Sequence, residues 1–163
     1  MTSRVLIIDD EKSIREVFGV LLTERGFAVE AAEDGRRGLE LARTFVPDVV
    51  LLDMNLPDMA GLDVLAGLRA LRPAPETVII TAFGTIRNAV EATKLGAFAY
   101  LEKPVDNDEL LLSLSRAVEV QGLRRQVETL RSELTSRYRF SNIVGTSARM
   151  NSVFQLMEKI SRV

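Results

Sequence analysis

Five residues carry groups from which a reactive site could be assembled: Asp9, Asp10 and Asp53 with carboxylates, Thr81 with a hydroxyl and Lys103 with an ammonium. Each stands at or just past the end of a short apolar run. Taken singly, each has an ordinary structural use. An acid after a strand is commonly the N-cap of the next helix, threonine is a strand former, and a lysine is usually a solvated end. Taken together they say more, because three carboxylates converging on one rim repel one another and a cation relieves that repulsion. All-oxygen ligands favour a hard ion such as Mg2+, which keeps several waters and leaves room for a phosphoryl oxygen. An acid cluster facing a lysine and a hydroxyl is therefore equipped for phosphoryl transfer, in which catalysis is mostly positioning and charge neutralisation. The chain has no histidine and no cysteine, so imidazole bases, thiolate nucleophiles and disulfides are excluded.

The elements that must position these groups follow from hydrophobic spacing. A strand is predicted over Val5 to Ile8, a helix through Ile14, Val17, Phe18, Leu21 and Leu22, and a strand over Phe27 to Ala31. The alternation continues with a helix around Gly38 to Phe45, a strand Val49 to Leu52 and a helix Leu62 to Leu71. A strand Thr77 to Thr81, a helix Thr85 to Leu95 and a strand Phe98 to Leu101 complete it. Strands that are apolar on both faces belong inside a parallel sheet covered by helices, and right-handed crossovers then give a doubly wound, five-stranded α/β layer. In that architecture ligands gather at the carboxyl ends of the strands, where Asp9, Asp10, Asp53, Thr81 and Lys103 are expected; the second strand ends in Ala31 and Ala32, which offer no functional group.

The chain's 163 residues suffice for one domain with a real core plus an appendage. With 47% hydrophobic residues and a net charge of -2, the composition is that of a soluble globular protein without an overall basic surface for a phosphate backbone, so no direct nucleic-acid partner is expected. Met1 to Ile8 do not form a secretory signal and no stretch is long enough to span a bilayer; the cytoplasm is the expected address, with no membrane partner.

Four segments carry a family resemblance: Leu6-Ile7-Ile8-Asp9-Asp10-Glu11, Leu51-Leu52-Asp53-Met54-Asn55-Leu56-Pro57, Ile79-Ile80-Thr81-Ala82 and Leu101-Glu102-Lys103-Pro104. From Arg4 to about Val120 the chain resembles the receiver domains of response regulators, whose fold is of the flavodoxin-like kind. The resemblance implies that Asp53 accepts a phosphoryl group from a phosphohistidine on a cognate histidine kinase. It implies that Asp9 and Asp10 arrange Mg2+, with Asp10 the direct ligand, and that Asp53 and the backbone carbonyl of Asn55 complete the protein's share. Thr81 would offer its hydroxyl to a phosphoryl oxygen, and Tyr100, read as facing away from Phe98, would turn inward with it; core packing is the plainer use of Tyr100. Lys103-Pro104 is the peptide that the resemblance implies is cis. Such a domain signals rather than turns over substrate, its chemistry limited to self-catalysed phosphorylation and dephosphorylation at Asp53. Ala60 departs from the pattern, since many relatives carry a polar residue there; its effect is expected at the helix start only.

Two other classes fit parts of the pattern. A haloacid-dehalogenase phosphatase also uses an aspartate nucleophile with Mg2+, but after the first strand and with a second acid two residues on, where this chain has Asp53-Met54-Asn55. A dimerisation module with the same shape and no phosphorylation would have no need of the carboxylate cluster.

Beyond Asp106, acids in a first turn open a helix with no proline and no glycine before Gly122. Leu111, Leu114 and Val118 suit packing onto the sheet. Val120, Leu123, Val127, Leu130 and Leu134 then repeat at heptad spacing, a seam for homodimerisation, with Gly122 a weak point at its root. The segment Phe140 to Ser147 with Met150 resembles the entry to the AAA+ ATPase domain of NtrC-type activators, which work with sigma-54 RNA polymerase. The apolar stripe Met150, Val153, Phe154, Met157 and Ile160 belongs to it. No Gly-x-x-x-x-Gly-Lys loop occurs in the sequence, so ATP hydrolysis has no seat here, and contact with sigma-54 polymerase is expected only through an ATPase domain not contained in this chain. The expected organisation is a receiver over 1–120, a coiled-coil linker helix over 121–139 and the start of an ATPase domain over 140–163.

Overall fold

The period-two alternation of the strands sorts the core into two layers. The computed structural model describes residues 2–144, the last five by their backbone alone, together with Gln155 and residues 157–160. Five strands, β1 (Arg4–Ile8), β2 (Ala28–Ala32), β3 (Val49–Leu52), β4 (Glu76–Thr81) and β5 (Ala99–Glu102), alternate with helices α1 (Lys12–Glu24), α2 (Gly35–Phe45), α3 (Gly61–Arg69), α4 (Ile86–Lys94) and α5 (Asn107–Val144). All pairings are parallel, in the order β2-β1-β3-β4-β5. Val5, Ile7, Val49, Leu51, Val78 and Ile80 pack with Phe18 and Leu22 of α1 and with Leu110, Leu114 and Ala117 of α5. Their neighbours Leu6, Ile8, Val50, Leu52 and Ile79 face α2, α3 and α4. The expected doubly wound five-stranded sheet followed by a long helix is the observed fold.

The strand order reverses between β1 and β3, so the crevice at that switch point opens beside the ends of the two strands that lead into Asp9 and Asp53. Element ends agree with the spacing-based reading to within three residues. Helix α2 begins three residues early, because Asp34 caps it by accepting the Arg37 N–H at 2.7 Å. It takes in two glycines against their helix propensity, since a Cβ at Gly38 would run into the Ile8 side chain. Phe98 and Tyr100 pack in opposite layers, Phe98 with α1 and α5 and Tyr100 with the other helices. Residues two apart in one strand would share a face; the two part company because Phe98 precedes β5.

Along α5, Leu110, Leu114, Ala117 and Gln121 are buried, and the Gln121 amide donates to the Ala74 carbonyl at 3.0 Å. Helix α5 continues through Gly122, yet the chain divides there into two compact units, the first ending at Gly122 and the second starting at Leu123. Within the second unit Leu123, Val127, Leu130 and Leu134 are exposed, whereas Val120, in the first, is half-buried. The segment 140–163 lies outside the described residues except for the helical backbone of 140–144, Gln155 and 157–160, where Met157 and Ile160 are exposed. No described helix is long and apolar enough to cross a membrane.

Helices α1 and α4 both end in a left-handed glycine, Gly26 at φ 90° and Gly96 at φ 96°. Helix α2 ends instead at Val46, held at φ 50° and ψ 64°, a conformation that crowds a β-branched side chain. Val46→Gly removes that strain at the expense of a more flexible unfolded chain. It is expected to raise the unfolding free energy by about 0.5–1 kcal/mol, seen as a higher urea midpoint at unchanged slope.

Candidate functional site

Asp9 and Asp53 are the first residues past β1 and β3, and the sheet itself holds their backbones. The Asp9 N–H donates to the Ala32 carbonyl at 3.1 Å, and the Asp53 N–H to the Ile8 carbonyl at 2.9 Å. Lys103 is fixed in the same way, donating its N–H to the Thr81 carbonyl at 2.9 Å just past β5. The Lys103–Pro104 peptide is cis, as is Arg72–Pro73, which nothing in the sequence singled out.

The three side chains meet in a nearly closed space. Lys103 Nζ lies 2.9 Å from Asp9 Oδ2 and 3.3 Å from Asp53 Oδ2, with the carboxylates 5% exposed and the lysine 11%. Glu11 Oε1, at 3.3 Å, is a third partner of the ammonium. Asp10 is exposed, but oxygens of Asp9, Asp10 and Asp53 lie within 4.8 Å of one another. Asp9 Oδ1 is engaged by the Glu11 N–H at 2.9 Å and Asp53 Oδ1 by the Asn55 N–H at 3.2 Å. Arg15 donates to the Asp9 carbonyl at 2.7 Å. Thr81 closes β4 in a buried position, its hydroxyl oxygen accepting the Phe83 N–H at 3.4 Å. Tyr100 is half-buried across the neighbouring loop. Its hydroxyl is buried without a partner in hydrogen-bonding geometry, although the backbone of Thr85 is close, and its ring edge is 3.1 Å from where a Cβ at Gly84 would stand.

Burial dominates the electrostatics. It pushes the Asp53 carboxyl above its ordinary value of 3.8; the Asn55 N–H works against it and the Asp9 charge with it, while Lys103 relieves only part. For Lys103, burial disfavours the ammonium, but the hydrogen bond that it donates to Asp9 and the charges of Asp53 and Asp9 outweigh it and raise the group above 10.5. Burial, then Glu102, pushes the Tyr100 phenol up. The sequence-derived set of Asp9, Asp10, Asp53 and Lys103 is thus one cluster. Thr81 and Asn55 join it through backbone contacts, and Tyr100 stands beside the loop after Thr81. Glu11 and Arg15 had no signal of their own beyond following two acids.

Residues 5–115 match the response regulator receiver domain model. The chain belongs to the response-regulator receiver family. Over 159 residues it is 33% identical to regulatory protein AtoC of Escherichia coli, covering 98% of this chain and 34% of that protein. Over 131 residues it is 37% identical to the alginate biosynthesis transcriptional regulatory protein AlgB of Pseudomonas putida, covering 80% and 29%. The chain thus spans about a third of the length of these relatives. The CheY-like receiver domain protein of Methanospirillum hungatei superposes with a TM-score of 0.73 at 30% identity, over 76% of this chain and 99% of that one. The cluster at the switch point therefore sits in a response-regulator receiver domain of the kind used in two-component signalling.

The raised Asp53 group has a definite sign in folding. Its protonated form is favoured by the fold, so its contribution is fully present below the ordinary 3.8 and is lost as pH rises through the folded value. In the absence of divalent ions, Asp53→Asn is expected to raise the urea midpoint at pH 7, with a smaller advantage at pH 4. An equal or lower midpoint at pH 7 would show that Lys103 fully compensates the buried charge.

Proposed function

We propose that this chain is the phospho-accepting receiver of an NtrC-type, sigma-54-dependent activator, with Asp53 as the phosphoacceptor. The observation that carries the reading is the nearly buried Asp53 carboxylate, grouped with Asp9 and Asp10 and touched by Lys103 Nζ at 3.3 Å. The donor set fits Mg2+: three carboxylates, all oxygen, with one lysine to offset their charge. Asp9, Asp10, Asp53 and the Asn55 carbonyl would hold the ion, which when bound supplies positive charge beside the phosphoryl oxygens.

A carboxylate needs no base. An Asp53 oxygen attacks phosphorus of a phosphohistidine on the kinase, the P–O bond forms as the P–N bond breaks, and the imidazole leaves with the electron pair and takes up a proton. Lys103 stays within reach to neutralise the transferred group, and Thr81 turns its hydroxyl toward a phosphoryl oxygen. Tyr100, whose buried hydroxyl has no good partner, follows into the space that Thr81 leaves; this is the switch. The output runs through a homodimer formed along Leu123, Val127, Leu130 and Leu134, with Val120 at its root, and through a sigma-54 activator ATPase that follows. The alignment of 159 residues with AtoC, well past residue 115, supports that continuation. Residues 1–120, 121–139 and 140–163 are then receiver, linker and ATPase entry, working in the cytoplasm without direct nucleic-acid or membrane contact.

Intact mass after incubation with acetyl phosphate tests the chemistry. A gain of one phosphoryl group that requires Mg2+ and is lost in Asp53→Asn is expected. No gain from a protein that binds Mg2+ would favour a dimerisation module that works without phosphorylation. For the seam, Leu130→Asp is expected to convert a dimer to a monomer by light scattering while leaving the mass gain unchanged.

A further inference from the structure

A ligand that is a backbone carbonyl has no side chain to aim it; only the loop that carries it sets its position. The Asn55 carbonyl lies in the loop from Met54 to Gly61, between β3 and α3, and that loop is held at three places. Near its ends, the Gly61 N–H donates to the Met54 carbonyl at 3.1 Å and Asn55 pairs with Ala60 in an isolated antiparallel bridge. The third hold is at the tip and comes from outside: Asp58 Oδ1 accepts the Gly35 N–H at 2.9 Å and Oδ2 accepts the Arg36 N–H at 2.8 Å. Two orphan donors of the first turn of α2 are thus satisfied by an acid 22 and 23 residues further along the chain.

The packing agrees with the hydrogen bonds. A Cβ at Gly35 would stand 2.5 Å from Met59 Cγ and 2.7 Å from Val64 Cγ2, so the glycine admits the loop to the helix end. At the start of α3, Ala60 makes no side-chain cap, and the acid two residues earlier is spent on α2 instead. The Arg36 N–H foremost holds the Asp58 carboxyl below its usual range; burial opposes it, and the Gly35 N–H adds to the lowering.

We infer that Asp58 is a positioning residue for the metal site, fastening the tip of the Asn55 loop to the N-terminus of α2 so that the Asn55 carbonyl stands ready for the ion. The inference rests on the Mg2+ reading proposed above. The Asp58 carboxylate accepts its hydrogen bonds from α2, so its effect on the site passes through the loop backbone. The same helix end supplies a matched control, because Asp34 caps α2 from its own side at the Arg37 N–H.

Calorimetric titration of the whole chain with MgCl2, beside urea unfolding, separates the roles. Asp58→Ala is expected to weaken Mg2+ binding about 10-fold, the scale on which supports of metal ligands act. Asp58→Asn, which keeps one of the two acceptor oxygens but sets its amide NH2 against the other N–H, should fall between Asp58→Ala and the wild type. Asp34→Ala should lower the urea midpoint as Asp58→Ala does, with Mg2+ affinity unchanged. The inference is overturned if Asp58→Ala binds like the wild type or if Asp34→Ala weakens binding equally. A wild-type chain that takes up no Mg2+ overturns the underlying metal reading as well.

Discussion

Three acids drawn to one rim by the ends of two adjacent strands resist their own assembly, and the rest of the site is built around that repulsion. The sheet forces the issue. Asp9 and Asp53 follow strands paired in register, Ile8 beside Leu52, and each backbone N–H is tied to the neighbouring strand. Burial then raises the cost of keeping the charges. Lys103 reaches Asp9 and Asp53 together, and it comes from the far side of β4, just past the end of β5. The fold therefore closes a circuit across four of its five strands before the cluster is tolerable. Even so the balance is incomplete, since Asp53 stays above its ordinary value with the lysine in place. A site left partly uncompensated is one that a cation can complete.

Much of this was legible in the sequence because parallel sheets write themselves plainly. Val49 to Leu52, apolar throughout, are buried on both faces, and the five chemistry-bearing residues could be read as strand ends without knowing the strand order. The acids of the first turn and the absence of proline announced α5. What was not legible pairs residues far apart in the chain. Asp58 on α2, Gln121 on the Ala74 carbonyl and Glu11 on Lys103 have no local spacing to betray them. An acid in a loop looks the same whether it faces water or a helix N-terminus 22 residues back. The cis Arg72–Pro73 peptide and left-handed Val46 are likewise set by surroundings rather than by their own residue types.

The helices do not hold the sheet equally, and the inequality bears on where a signal could travel. Helix α3 buries Val64, Leu65 and Leu68, and α1 buries Phe18 and Leu22, whereas α4 buries Ala92 alone. Around α4, Phe83, Ile86, Val90 and Leu95 are exposed, so leaving its place would uncover little further apolar surface. It is also the helix that follows Thr81, with Tyr100 against the loop between them. The root of α5 is placed otherwise, on the opposite layer and anchored by Leu110, Leu114, Ala117 and Gln121.

Helix α4 thus lies on one face of the sheet and the root of α5 on the other, with β4 and β5 between them. Both strands have a residue of the site at the carboxyl end, Thr81 in one case and Lys103 just past the other, and β5 is a short edge strand of four residues. From Lys103 the chain needs only Pro104, Val105 and Asp106 to reach α5, and Val105 packs against the layer that buries α5. The shortest physical route from the carboxylates to the root of the long helix is therefore along the chain through Lys103, whose ammonium touches the Asp53 carboxylate. A lysine that compensates a charge cluster and also begins the connection to α5 joins the two tasks in one residue.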